Sequence, residues 1–516
     1  MAASIEFDSQ PATLADRLVR PMPSGVWLAV GLAASLLSVG GRWSLALAAW
    51  AAPIFLLRFS RMNRPTIAIA TITLVSFLQM LWMGLEYATD PTSTVVTTVL
   101  TFVLGVLFAI PYIVDRLIVN RLREVGRVFL FPLIWTATEY IVSSNLPVGT
   151  SIGVRAFTQA ENLPLIQIIS LTGPYAIGFL IASGAAVANR IWENPARINW
   201  VRWGGGFAAV LLVVMLYGEA RLNFASLPST APNVRIAGIT APATLRQAAW
   251  KLVTPANFPP SASVKAALAA PATKAQFEHI ADILLTETHA AAKSGARIVV
   301  WSETAAPVLE EDKTALLQKI SAAARVDGLY IDAAIGVPFE RNETYLFAPD
   351  GTQLWHYRKN HPVPGLEPVA PFQNAVPVVT TPFGRLANVI CYDGDFPALT
   401  RVAADILLLP GWDWPAMGYT HTIKMARLRA VENGYSLVRV DFEGLSGAFD
   451  PYGRLLAMQD TLPGESHAMI VDVPAKRVAT FYSRTGDVFA WLCLAIALGL
   501  CSLGIVRPRA APASPA

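Results

Sequence analysis

The sequence predicts an α-helical polytopic membrane domain of about eight spans joined to a layered α/β domain. Hydrophobic residues make up 54% of the 516 residues and charged residues only 15%, whereas soluble chains carry roughly 25% charged residues. The segment 233–478 nevertheless alternates strand-like and helix-like runs, a pattern typical of an α/β domain. This composition excludes a disordered chain, a collagen-like fibre and a disulfide-rich secreted scaffold.

Eight apolar runs approach the ~17–25 residues that a transmembrane helix needs. Seven of them precede the α/β segment and one follows it. The first two are short and nearly continuous, so they could equally form one re-entrant pair. The polar start of the chain predicts no cleavable signal peptide. The cores of the runs are 26–40, 43–57, 66–84, 95–114, 128–144, 165–189, 204–219 and 486–506.

These runs divide the chain into three parts. We expect an N-terminal membrane domain at 1–226, an α/β domain at 227–480, and a C-terminal transmembrane helix with its tail at 481–516. Two of the three cysteines, Cys493 and Cys501, lie in the last apolar run, which leaves Cys391 in the α/β domain.

Arginines concentrate in alternate loops between the runs, which is the positive-inside pattern of membrane proteins. The pattern places both termini in the cytoplasm and the segment 220–485 on the outer side. Because the positive charge is held mostly in these short loops, we expect no nucleic-acid partner. The residues on the cytoplasmic side are Arg17, Arg20, Arg58, Arg61, Arg64, Arg116, Arg121, Arg123, Arg127, Arg190, Arg197, Arg202, Arg507 and Arg509, against Arg42, Glu86, Asp90, Arg155 and Glu161 in the other loops.

Within the α/β domain, periodicity and turn residues predict the order of elements. Strands are expected at 233–239, 296–303, 329–339, 384–393, 405–411 and 435–442, helices at 274–296, 315–328, 397–404 and 420–434, and hairpins at 344–359 and 446–459. The Ala/Pro-rich stretch 240–272 is expected to be a long loop.

Four reactive groups follow predicted strands. Glu303 follows an apolar strand, Lys359 follows a hairpin strand with Glu367 eight residues later, and Cys391 ends another strand. A carboxylate can take the proton of a thiol, and an ammonium group can stabilise the oxyanion that forms during acyl transfer. The alternatives are a solvated surface pair for Glu303 and Lys359, and a buried structural cysteine.

The surrounding motifs resemble the three signatures of the nitrilase superfamily. They are VVWSET around Glu303, YRKNH around Lys359 and ICYDGDFP around Cys391; ADILLLPGWDW and MARLRAVENG are similar as well. The resemblance implies a nitrilase-type αββα sandwich with Glu303 as general base, Lys359 as oxyanion stabiliser and Cys391 as nucleophile.

Seven spans before such a domain and one after it resemble the apolipoprotein N-acyltransferases of the bacterial inner membrane. The segment VPGLEP (363–368) looks like the lid of that family and implies that Glu367 is a second active-site carboxylate. The resemblance further implies a phospholipid acyl donor, a diacylglyceryl lipoprotein as acceptor, a catalytic domain on the periplasmic side, and no metal or organic cofactor.

Several positions depart from the pattern of that family. Ser302 stands where a proline is common, Asp393 where glutamate is usual, and the turn Asp441–Gly444 where asparagine is expected. Tyr392, beside the nucleophile, could pack or donate a hydrogen bond. Trp412 and Trp414 could line an acyl-chain pocket or anchor the domain at the membrane interface.

Two other functions use the same sequence features. A membrane-anchored amidase would use the same three residues with water as acceptor and a small or lipidic amide as substrate. A catalytically silent scaffold would keep the fold alone, although the intact set of Glu303, Lys359 and Cys391 argues against it.

Overall fold

The computed structural model describes residues 22–39, 44–87, 91–146, 148–150, 152–224, 232–462 and 467–506. These residues form a helical bundle, then a two-sheet α/β sandwich, and finally a helix that returns to the bundle. On that last helix, Cys493 and Ala497 pack against Leu130 and Leu133. The outermost residues used to predict orientation lie outside the described residues: Arg17, Arg20, Arg42, Asp90, Arg507 and Arg509.

Five helices in the described part of the chain are long and apolar enough to cross a membrane. A sixth span results if the bent helix pair Leu163–Thr172 and Tyr175–Glu193 counts as one crossing. The five helices are Pro65–Tyr87, Thr97–Arg121 (within a helix that begins at Pro91), Glu124–Asn145, Arg197–Asn223 and Val488–Val506.

The prediction of about eight spans is therefore wrong. The first two apolar runs fold as separate helices, Ser24–Leu37 and Ala46–Met62, of 14 and 17 residues. At 1.5 Å per residue they extend only about 21 and 26 Å, less than the ~30 Å hydrocarbon layer. The second also carries Arg58 and Arg61 near its end, which reduces its apolar length.

The sixth run is broken by a Gly–Pro pair. Gly173 has φ 69°, a conformation that favours glycine, and Pro174 lacks a backbone N–H to continue a helix. The two helical pieces consequently meet at 114° instead of forming one straight span.

The α/β region contains two sheets packed face to face. The strands of the described chain are β1 Asn233–Thr240, β2 Ile298–Trp301, β3 Ala306–Pro307, β4 Tyr330–Val337, β5 Arg341–Phe347, β6 Gln353–Arg358, β7 Val378–Thr381, β8 Gly384–Asn388, β9 Ile406–Trp412, β10 Ser436–Phe442, β11 Leu445–Phe449, β12 Leu455–Asp460 and β13 His467–Pro474. The first sheet has the order β13-β1-β2-β4-β5-β6, with β3 paired to β4, and the second has the order β12-β11-β10-β9-β8-β7.

Branched apolar side chains from both sheets fill the space between them. Ile298 and Val300 of β2 share one buried cluster with Leu408 of β9 and Val440 of β10. The two sheets approach closely at Gly238, where an added Cβ would lie 2.5 Å from a methyl group of Val440. The central strands are parallel, so the chain needs helical crossovers that cover the outer faces.

The helices on the outside complete an αββα arrangement. The helix Pro271–Lys293 buries Phe277, Ile280 and Leu284 at helical spacing against the first sheet. The helix Glu310–Asp327 covers the same sheet and ends at Gly328, which has φ 64°. The helix Arg427–Asn433 lies on the second sheet, within one buried cluster with residues of the bundle.

Two local predictions need correction. The stretch 240–272 is not one long loop, because Ala243–Trp250 and Ala262–Leu268 form helices whose buried alanines and leucines pack on the core. The helix expected at 397–404 is only Pro397–Thr400, since the chain turns away before β9.

The bundle contacts the second-sheet side of the sandwich through polar bonds as well as apolar packing. Thr150 donates its backbone N–H to the carbonyl of Asp395 at 2.9 Å. Gln167 Nε2 donates to the carbonyl of Tyr452 at 3.0 Å. These contacts fix the sandwich at one end of the bundle.

A buried carboxyl group lies between the sheets. Asp332 on β4 accepts a hydrogen bond from Asn388 Nδ2 at 2.7 Å. Burial raises the pKa of Asp332 to about 8, although hydrogen bonds from Trp355 and Asn388 act in the opposite direction. The folded protein therefore keeps this proton up to about pH 8, whereas an unfolded aspartate releases it near pH ~4.

We predict that Asp332→Asn flattens the pH dependence of stability between about pH 4 and 8. In this window the folded state binds one more proton than the unfolded state, so the free energy of unfolding of the parent falls as pH rises, by at most about 1.4 kcal/mol per pH unit. Thermal unfolding of the full-length protein at pH 5 and pH 8 measures the effect. Asp282→Asn, at a carboxylate 62% exposed, is the matched control; equal pH slopes in parent and Asp332→Asn would contradict the prediction.

Candidate active site

Glu303 follows β2 and is buried at the carboxyl end of the first sheet. Its Oε1 accepts hydrogen bonds from Lys359 Nζ at 2.7 Å and from Asn342 Nδ2 at 2.6 Å. Its backbone carbonyl accepts from Arg246 Nη2 at 2.6 Å, and Arg246 also bonds the hydroxyls of Ser302 and Thr304. The carboxylate is thus held rigidly in a site that is closed to water.

Lys359 directly follows β6 and lies between two carboxylates. Its Nζ contacts Glu303 and also Glu367, and its backbone N–H donates to the carbonyl of Asn342 at 2.9 Å. Burial alone would lower the pKa of Lys359, but the negative charges of Glu303 and Glu367 raise it well above its usual value. The side chain is therefore a fixed buried cation.

Glu367 contacts Lys359 from a loop. Asn360 and Asn374 join the two ends of this loop through Asn360 Nδ2 to the Asn374 carbonyl, 3.0 Å, and Asn374 N–H to Asn360 Oδ1, 3.2 Å. Glu367 Oε1 contacts Lys359 and accepts the Val363 N–H at 3.1 Å. Burial raises the pKa of Glu367, an effect that Lys359 partly offsets.

Cys391 begins a short 3₁₀ turn, Cys391–Asp395, beyond the end of β8. Its φ of 45° lies in the left-handed region, which a residue with a side chain rarely adopts and which recurs at functional sites. Burial and the charge of Glu303 raise the pKa of the Cys391 thiol well above its usual value, while Lys359 lowers it. The thiol form is therefore favoured, and formation of a thiolate at Cys391 requires a nearby base.

Asp393 joins the cysteine turn to the lysine strand. Its carboxylate accepts from the Tyr357 hydroxyl at 2.8 Å, from the His361 N–H at 2.8 Å and from the Ile390 N–H at 3.3 Å. Tyr392 packs edge-on against Phe396, with ring centroids 5.3 Å apart. The shorter acid at 393 thus fixes the distance between two loops and does not face the reacting groups.

The two tryptophans have different surroundings. The Trp412 carbonyl is 3.8 Å from the Cys391 sulfur, and its indole N–H donates to Glu443 at 2.9 Å. Its ring packs against Trp250, and the Arg246 guanidinium lies 4.8 Å from the ring centroid. Trp414 begins the next helical segment, and its indole nitrogen is buried without a hydrogen-bond partner in the described part of the chain.

One cluster contains the types of ligand that metals prefer. Cys391, Asp413 and His421 bring ligand atoms within 4.8 Å of one another. However, both His421 nitrogens contact carboxylates, of Asp395 and Asp413, and Arg439 lies 2.9 Å from the other oxygen of Asp413. Because the protein's own cations already balance these carboxylates, the donor set fits an internal charge network better than a metal site.

Comparison with known proteins identifies two family regions. Residues 24–187 match the apolipoprotein N-acyltransferase N-terminal domain, and residues 263–482 match the carbon-nitrogen hydrolase family. Between them the two matches cover well over half of the chain.

Relatives extend across both regions. Apolipoprotein N-acyltransferases from Geobacter metallireducens and Bradyrhizobium diazoefficiens are 28% and 26% identical, over 77% and 80% of this chain and 77% and 79% of their own lengths. That of Chlorobaculum tepidum is 24% identical over 81% of this chain and 84% of its own. The chain belongs to the apolipoprotein N-acyltransferase family. As a member of this family it is an acyltransferase with a nitrilase-type catalytic domain.

A solved structure is similar to the catalytic region alone. An amidase from Nesterenkonia sp. is 20% identical and covers 49% of this chain and 94% of its own, with a TM-score of 0.37. A score this low adds no weight to the assignment.

The sequence did not predict the residues that surround Glu303, Lys359 and Cys391 in this member of the N-acyltransferase family. Asn342 lies in a polar run between Arg341 and Glu343, where nothing in the sequence marks it as buried. Arg246 lies in the stretch that was expected to be a loop. Asp413 follows β9 and Arg439 lies in β10, and only the pairing of these strands shows that the two residues are neighbours.

We predict that Asn342→Ala slows acylation of Cys391 by an activated acyl probe about 10–100-fold. The variant removes a hydrogen bond to the Glu303 carboxylate, and a bond to a charged group contributes about 1.5–3 kcal/mol. The rate of probe labelling measures this. Asn223→Ala is the matched control, because within the described part of the chain that amide bonds Glu219 one turn earlier. A rate within twofold of the parent would show that Asn342 does not orient the base.

Proposed function

We propose that this chain transfers an acyl chain from a phospholipid, through a thioester on Cys391, to the N-terminal amine of a diacylglyceryl-cysteine lipoprotein. The observation that carries the proposal is the buried contact of Lys359 with Glu303 beside the thiol, in a chain that matches this acyltransferase family over both its bundle and its catalytic domain.

The first half-reaction forms the thioester. Glu303 takes the proton of Cys391 as the sulfur attacks the ester carbonyl of the phospholipid. The ammonium of Lys359 stabilises the resulting oxyanion; one preorganised donor of this kind contributes about 3–4 kcal/mol. The carbon–oxygen bond then breaks, and the leaving lysophospholipid oxygen takes the proton from Glu303.

The second half-reaction moves the acyl group to the acceptor. The lipoprotein amine attacks the thioester carbonyl, and Glu303 takes a proton from the attacking nitrogen. The carbon–sulfur bond breaks, and the thiolate recovers its proton from Glu303. Each step uses only the side chains of the site, and no cofactor takes part.

Substrate entry requires the Glu367 loop to move. Cys391, Glu303 and Lys359 are each only 2% exposed, and the contact between Glu367 and Lys359 lies over the site. We propose that this loop opens toward the lipid surface, with Tyr392, Asp393, Trp412 and Trp414 supporting the substrate side of the site.

The placement in the bacterial inner membrane, with the catalytic domain outside, is supported by the ends of the bundle. Arg61 lies 2.7 Å from Asp115 and 3.1 Å from Glu193, and Arg190 lies 3.2 Å from Glu124, so three arginine-bearing loops meet at one end. The sandwich contacts Thr150. This residue lies in the connection that follows the helix Glu124–Asn145, at the opposite end of the bundle. With the bent pair counted as one span, five spans precede the sandwich, which is an odd number.

We predict that Cys391→Ala abolishes acyl transfer and that Cys391→Ser lowers it by more than about a hundredfold, since a serine hydroxyl is a far poorer nucleophile beside the same base. Transfer of a labelled acyl chain from phosphatidylethanolamine to Cys391 and then to a lipopeptide is the measurement. Cys493→Ala and Cys501→Ala, on the last helix, should keep full activity. Release of free fatty acid or ammonia alone would favour the amidase, and absence of labelling would favour the scaffold.

Orientation has a separate prediction. A reporter that is active only outside the cytoplasm should be active when fused after Phe224, which ends the last span before the sandwich. The same reporter should be inactive when fused after Asn63, in an arginine-rich loop. The reverse pattern would place the catalytic domain in the cytoplasm and overturn the proposed localisation.

A further inference from the structure

Behind the Cys391 sulfur lies a buried row of alternating charges that the proposed reaction does not use. Asp395 lies 3.0 Å from His421 Nε2, and His421 Nδ1 lies 2.8 Å from Asp413 Oδ1. Arg439 Nη2 lies 2.9 Å from Asp413 Oδ2. All four side chains are at most 2% exposed. Such burial of four charges is unfavourable unless each one is paired.

This row reaches the sulfur at two points. Asp413 Oδ1, which contacts His421, lies 3.9 Å from Cys391 Sγ, and Arg439 Nη2 lies 4.0 Å from it. The Asp413 carboxylate raises the pKa of the Cys391 thiol, whereas the Arg439 guanidinium lowers it. Any change in the charge of Asp413 is felt directly by the group that must become an anion.

His421 enters this row because its helix is locally unwound. The residues Thr420–Ala426 form a π-helical segment, a rare geometry that recurs at functional sites. Thr422 in this segment donates to the carbonyl of Leu445 and accepts from Arg439 Nη1 at 3.1 Å. The wider turn thereby places His421 in contact with Asp413 and Thr422 in contact with Arg439.

We propose that His421 is a positioning residue for the acyl transfer. Its positive charge, together with that of Arg439, balances Asp413 and Asp395, so that the row behind the Cys391 sulfur carries no net charge. The inference rests on Cys391 being the nucleophile of the proposed function. Without the charge on His421, the row would contain one uncompensated carboxylate near the sulfur, and this negative charge would oppose formation of the thiolate.

The protonation of the neighbours agrees with this balance. Burial opposes a charge on His421, but Asp413 and Asp395 outweigh it and raise the pKa of His421 to about 10. Arg439 and His421 overcome burial and hold the pKa of Asp413 below its usual value. Burial and the charge of Asp413 raise the pKa of Asp441, which also contacts Arg439, well above its usual value and so favour the neutral form of this carboxyl.

The remaining charged groups that face the sulfur come from the other sheet. They are Glu303, which raises the pKa of the thiol, and Lys359, which lowers it. Tyr392 is a titratable neighbour of Asp395, and burial raises the pKa of its hydroxyl far above neutrality. Tyr87 approaches the same carboxylate from the bundle. His421 is therefore the group whose replacement tests the balance.

The experiment follows the pH dependence of Cys391 alkylation by iodoacetamide in the full-length protein carrying Cys493→Ala and Cys501→Ala. This reaction needs no lipid, so its outcome is separate from that of the acyl-transfer assay. In His421→Gln we expect the apparent pKa of Cys391 to rise by about one unit or more, with alkylation at neutral pH about tenfold slower. His279→Gln, at an exposed histidine of the helix Pro271–Lys293, should leave the profile unchanged.

A charge-restoring double variant separates balance from structure. Asp395→Asn together with His421→Gln leaves Asp413 paired with Arg439 and should return the profile to that of the parent, which a purely structural role for His421 would not do. An unshifted profile in His421→Gln overturns the proposal, as does a double variant that keeps the shift. Should His421→Gln alone fail to fold, the double variant decides: a folded double variant with the parental profile supports the proposal, and an unfolded one overturns it.

Discussion

The catalytic architecture depends on keeping one ammonium group, that of Lys359, charged in a place where water cannot reach it. Burial of a lone cation is strongly unfavourable, and here the carboxylates of Glu303 and Glu367 offset that cost from two sides. The same contacts hold Glu303, Lys359 and the loop that carries Glu367 in one arrangement. Geometry and charge therefore cannot be changed independently at this site.

The turn Cys391–Asp395 is held by contacts on two sides. Asp393 bonds the backbone that follows Lys359, and the row from Asp395 to Arg439 lies behind the sulfur. The left-handed backbone of Cys391 is strained, so the surrounding hydrogen bonds must compensate for it. Asp393 is compatible with this site, although it is shorter than glutamate, because its carboxylate accepts hydrogen bonds from backbone N–H groups.

The bundle supports the reactive turn as well as anchoring it. Thr150 bonds the carbonyl of Asp395, and Tyr87 bonds Thr420 next to His421 at 3.1 Å. The bundle therefore contacts the charge row at Asp395 and beside His421. Part of the surroundings of Cys391 is therefore built by the helical bundle.

The sequence by itself determined the two-part composition, most strands and helices of the sandwich, and the motifs around Glu303, Lys359 and Cys391, because periodicity and short motifs are local properties. It did not determine the number of spans, since apolarity does not reveal that a Gly–Pro pair bends one run or that two helices stop short of a bilayer's thickness. Only the tertiary structure placed Asn342, Arg246 and the row from Asp395 to Arg439 around the reactive groups. These residues come from distant strands and helices, and their roles arise from burial and charge pairing, which exist only after the chain has folded.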